Sequence, residues 1–174
     1  MSWYDNLFAL IDMRSFTSIW FWFVLAVTWS TASHFTLGVP YDLVARARRK
    51  GGQAAADAET LAHIQVRRRM AVVRSLGHWL VAFWAAVLTV LMMLGFGYGV
   101  ELAQALFLLG FPLSLTGFLG LRAAAWIEAH DARGEVLWKR LARLRFWTQV
   151  IGMIAIFVTA MWGMWSVMTI RVLS

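Results

Sequence analysis

From Ser75 to Leu121 the chain is almost continuously apolar, carries one charged residue, Glu101, and is broken once, at Gly95-Phe-Gly-Tyr-Gly99. Each side of that break holds about 20 apolar residues, which at about 1.5 Å per helical residue match the ~30 Å hydrocarbon core of a bilayer. A helix of that length in a soluble core keeps a polar face, and neither side has one. The stretch therefore predicts a transmembrane helical hairpin, with the rest of the chain arranged around it.

Two further apolar spans flank the hairpin. The predicted spans are 16–37, 75–98, 102–121 and 146–170, which makes the chain one all-α membrane domain over residues 1–174, a four-helix bundle. Residues 2–13 place Trp3, Leu7, Phe8 and Ile11 at helical spacing in a segment too short to span, predicting an interfacial helix on the membrane surface. Gly38-Val-Pro40 stops the first span. Residues 39–74 form a basic connection, punctuated by Gly51-Gly52, whose second half from Gln53 is Ala-rich, acidic early and arginine-rich late. That charge order suits a helix macrodipole and predicts a helix running straight into the second span. Residues 122–145 are a second basic helical hairpin with its turn at Gly134.

Charge placement orients the spans. The chain has a formal charge of +7, but eight Lys/Arg lie in Ala45–Arg74 and six in Arg122–Arg145, leaving Arg14 and Arg171 of the sixteen. Positive residues stay on the cytoplasmic side, so both basic connections are predicted to be cytoplasmic helical extensions and both termini external. The expected location is a bacterial inner membrane. Trp3, Trp20, Trp22, Trp162 and Trp165 then fall toward the outer interface, and Trp79, Trp126, Trp138 and Trp147 toward the inner one. Basic residues confined to span flanks read as topology signals rather than as a nucleic-acid surface. Arg46, Arg48, Arg49, Lys50, Arg67, Arg68 and Arg69 are the candidate contacts for anionic lipid headgroups or an acidic protein partner.

Small residues mark packing faces: Gly110, Ser114 and Gly117 on the third span, and Gly152, Thr159, Gly163 and Ser166 on the fourth. Ala82, Ala85 and Thr89 do the same on the second, and Pro112 is expected to kink the third. No Asp, Glu, Lys or Arg stands inside the four spans, which counts against active transport and leaves a passive channel or small transporter as the third reading. The absence of cysteine excludes disulfides, thiolate metal sites and cysteine nucleophiles. No catalytic motif is present, so a non-enzymatic role with no resident cofactor is expected.

His34 and His78 sit near the inner ends of the first two spans, with Gln149 at similar depth. One reading is a bis-histidine b-type haem electron carrier with His34 and His78 as axial ligands and Ser33 and Gly77 making room. The other is an interhelical hydrogen-bond cluster, each bond contributing about 0.6–2 kcal/mol. His130-Asp131 beside Glu128 reads either as a metal or acid–base trio or as a solvated helix end. The methionines of the fourth span read as packing residues.

Five strings occur together: Ile11-Asp-Met-Arg-Ser-Phe16, Trp29-Ser-Thr-Ala-Ser-His34, Gly38-Val-Pro-Tyr-Asp42, Arg46-Ala-Arg-Arg49 and Gly51-Gly52. With them the chain resembles an uncharacterised family of small bacterial inner-membrane proteins labelled as a component of the SUF iron–sulfur-cluster assembly complex. The resemblance is strongest over the first third. It implies association with a cytoplasmic scaffold that builds such clusters, as an anchor or accessory subunit rather than a catalyst.

Overall fold

The computed structural model describes Phe16 and residues 18–173. Within them the chain forms five α-helices: α1 (Ile19–His34), α2 (Tyr41–Lys50), α3 (Gly52–Met92), α4 (Glu101–Ala129) and α5 (Gly134–Leu173). Two short strands, β1 (Phe35–Thr36) and β2 (Val39–Pro40), pair antiparallel between α1 and α2, Phe35 opposite Pro40 and Thr36 opposite Val39. The interfacial helix expected over residues 2–13 lies outside the described residues.

Three helical stretches are long and apolar enough to cross a membrane: Gly52–Gly97, Glu101–Ala129 and Gly134–Ser166. The first span, expected over 16–37, is represented by the 16 residues of α1, a shorter piece than the other three. It ends at His34 because the chain reverses in a two-residue hairpin. Leu37 (φ 56°) and Gly38 (φ 81°) both take left-handed backbone, the combination that lets a tight turn follow the twist of paired strands. Leu37 has no glycine's freedom there, and its side chain is held buried in the core below.

The helix predicted from Gln53 does run unbroken into the second span. At 41 residues and about 1.5 Å per residue α3 is ~60 Å long, roughly twice a hydrocarbon core. It ends in a π-helical turn, Met93–Gly97, before Gly99 (φ 73°) reverses the chain into α4. α4 continues through Pro112 without interruption. At its other end the chain turns through Asp131 (φ 40°) to Gly134 (φ 54°), where α5 begins.

The two ends of the molecule are packed in different ways. In the apolar half α3 lies on α4, α4 on α5, and α1 on α5. Leu25 and Trp29 of α1 join Ala155, with Leu109, Leu113 and Ile151 against them. Most other large side chains here face outward: Trp79 is 69% exposed and Phe83 67%. An apolar surface of this extent is incompatible with water and is that of a membrane protein. α3 meets α4 through Trp84 and Leu88 rather than through Ala82, Ala85 and Thr89, which stay exposed.

At the polar end the packing is dense. Val44 and Ala47 of α2 join Ala58, Ala62 and Val66 of α3, Ala124 and Ile127 of α4, and Leu137, Trp138 and Leu141 of α5 in one buried cluster. Ala58, Ala62 and Val66 recur every four residues, so one narrow face of α3 carries only small side chains and neighbouring helices approach closely. Trp138, expected at the membrane interface, belongs to this core because it follows Leu137 and precedes Leu141 on the inward side of α5.

Candidate functional site: the polar helical head

Outside the apolar half, α2, the start of α3, the end of α4 and the start of α5 make a helical head. Two side chains one turn apart on α3 fasten it at the α4–α5 turn. The Gly134 N–H donates to Glu59 Oε1 at 2.7 Å, so a carboxylate 75 positions earlier caps the start of α5. His63 Nε2 faces the Ala132 carbonyl at 3.1 Å. Removing the carboxylate in Glu59→Ala is expected to cost about 1 kcal/mol of stability, as for other lost helix caps. Equilibrium unfolding should show it, and Glu59→Gln should recover part of the loss.

The head divides its arginines into two sets. The first is structural. Arg74 Nη2 donates to Glu128 Oε2 at 2.6 Å, and Arg48 reaches Glu135 at 3.8 Å. Arg145 stacks over Tyr41 (3.8 Å to the ring centroid) and Arg140 over Trp126 (4.8 Å), tying α5 to α2 and to α4. The second set is open. Arg46, Lys50, Arg67 and Arg68 are exposed and, among the described residues, have no ion pair or hydrogen bond. Arg49 reaches only the Ala45 carbonyl of its own helix. On α2 the arrangement is amphipathic: Val44 and Ala47 face the core while Arg46, Arg48, Arg49 and Lys50 face out.

Arg69 departs from its neighbours Arg67 and Arg68. About 100° of helix rotation per residue turns it inward, into a crevice of about 160 Å³ lined also by Thr36, Thr116, Thr148, Gly117 and Gly120. It is thus a partly sequestered cation beside the β1–β2 hairpin, not a member of the outward basic face.

Among the small residues, Gly110 lies where a Cβ would meet Leu88 and Trp84 of α3, and Trp84 Nε1 donates to Ser114 Oγ. A Cβ at Gly152 would stand 2.7 Å from the Trp29 ring, and one at Gly163 3.2 Å from Phe16, so both admit α1-side aromatics to α5. Thr159 is fully buried, its hydroxyl without a partner among the described residues, while Gly117 faces open space.

The histidines have separate ring neighbours. His34 ends α1 with its ring against Phe35, and His78 is on α3 with its ring beside Trp79. Both are exposed, as is Gln149. His130 stacks on Trp126, Asp131 pairs with Arg133 and Glu128 with Arg74, so the three neighbours have separate partners. Among the described residues no three His, Asp or Glu side chains gather as a metal site.

At the opposite end of the molecule Gln104, absent from the candidate residues of the sequence analysis, is buried in the first turn of α4. Its Nε2 donates to the Gly95 carbonyl at 2.7 Å, and its Oε1 accepts from Trp162 Nε1 at 3.0 Å, joining the hairpin turn to α5. A glutamine among Leu and Ala in an apolar helix was the available signal. Compared with known proteins, the chain matches no family model, no curated protein and no solved structure.

Proposed function

We propose that the protein is a non-enzymatic membrane anchor whose helical head docks a cytoplasmic partner complex. On this reading α1, α3, α4 and α5 cross a bacterial inner membrane, with the termini outside and the head inside. The bias of fourteen of the sixteen Lys/Arg toward the head supports that orientation. The carrying observation is the contrast in packing. Among the described residues the larger buried cluster lies in the head, and it holds the unpaired basic residues of α2 and α3 on a fixed surface. Rigid presentation of charge favours a specific, acidic docking partner over diffuse attraction to lipid alone. The SUF assembly machinery, named by the sequence resemblance, is the first candidate partner.

Native co-purification from gently solubilised membranes tests this. The wild-type chain is expected to bring down a stoichiometric companion. The triple reversal Arg46→Glu, Arg49→Glu and Lys50→Glu should lose it while keeping normal membrane insertion. A wild-type protein recovered alone, or a companion retained by the triple variant, would refute the docking role. Labelling from intact cells tests orientation separately: a head reachable from outside would refute the topology.

A further inference from the structure

α4 and α5 leave one side of their contact uncovered. On the other side α1 lies against Leu109 and Leu113. On the open side Phe111, Leu115, Ile154 and Val158 wall an apolar groove of about 250 Å³. Leu119, one turn beyond Leu115 on α4, and Trp147, one turn beyond the groove residue Ile151 on α5, continue the same stripe. They lead into a recess of about 170 Å³ lined by Arg122, Arg140 and Arg143. Among the described residues no carboxylate lines this recess. Arg140 is held over Trp126 with its Nε buried and without a hydrogen-bond partner, while Arg122 and Arg143 are exposed and unpaired among the described residues.

We infer that this groove and recess together bind one acidic phospholipid, its phosphate on Arg122, Arg140 and Arg143 and an acyl chain along α4 and α5. Guanidinium forks match phosphate oxygens and form strong charge-assisted hydrogen bonds. From Arg122 to Leu108, also in the groove, α4 advances about 21 Å, more than the ~15 Å of one leaflet, so the groove accommodates a chain through its leaflet depth. A zwitterionic headgroup would bring its own ammonium into a recess that already holds three cations, which selects a net-negative lipid. The apolar continuation and Trp147 at the junction select a lipid over a free phosphate ion. The inference rests on the membrane reading of α4 and α5 and is independent of any docking partner.

The test uses the full chain in detergent, following thermal unfolding and lipid retention by native mass spectrometry. The three probes are phosphatidylglycerol, phosphatidylcholine with the same chains, and inorganic phosphate. Phosphatidylglycerol alone is expected to raise the unfolding temperature and to remain bound at about one per chain. The double variant Arg122→Gln/Arg143→Gln should weaken its binding about thirtyfold. Leu115→Trp, which fills the groove and keeps every charge, should weaken it too, whereas Arg67→Gln/Arg68→Gln should not. Equal stabilisation by phosphatidylcholine, or unchanged binding in both groove variants, would overturn the inference. Stabilisation by phosphate equal to that by lipid would reassign the recess to a free anion and overturn the lipid.

Discussion

Leu141→Asp will unfold the head and leave the apolar helices in the membrane. Leu141 is fully buried in one cluster with Leu137, Ile127 and Trp138. Truncating such a leucine costs about 2–5 kcal/mol, and a carboxylate adds the penalty of an unpaired buried charge. A total loss of ~4 kcal/mol or more follows, comparable to the stability of a small domain. Limited proteolysis should become rapid within residues 53–74, while alkaline extraction still leaves the chain in the membrane fraction. The companion protein should be lost as well. If the head of the variant resists protease like wild type, the packing described for it is wrong.

Gly95→Val is expected to open the opposite end. A Cβ at Gly95 would stand 2.8 Å from the Gln104 backbone nitrogen and 3.0 Å from its Cγ, so α4 must shift its first turn. That shift also breaks the bond from Gln104 to the Gly95 carbonyl and loosens the one from Trp162. Overpacking and a stranded buried amide together cost about 3 kcal/mol. Unfolding by denaturing detergent should move to markedly lower concentration, with a change in tryptophan emission as Trp162 loses its partner. Gln104→Leu should reproduce the emission change with a smaller loss of stability. Wild-type behaviour in both variants would mean that the hairpin turn and α5 are not coupled.

How much of this was legible in the sequence follows from the range of each signal. Local signals read well: the Ala-rich, charge-ordered stretch after Gly51-Gly52 became one helix with the next span, and Gly134 marked its turn. α1 ends three residues before the expected end of the first span, because a leucine at positive φ carries no local mark and is held there by burial from below. Adjacency joins Arg69 to Arg67 and Arg68 in the sequence, although helical rotation separates their directions. Trp138 read as an interfacial residue because its core neighbours come from α2, α3 and α4, far away in the chain. The recess of Arg122, Arg140 and Arg143 depends on two helices meeting antiparallel, and no single segment encodes it. His34 and His78 matched in expected depth, but they belong to helices whose main neighbours differ.

α3 and α5 pass from the head into the apolar half with no hinge at the boundary. Each is a stiff lever some 60 Å long, given about 1.5 Å per residue. A reorientation of the head therefore carries over, through continuous helix, into the apolar half. The tilt of the spans and the pose of the head are one mechanical variable.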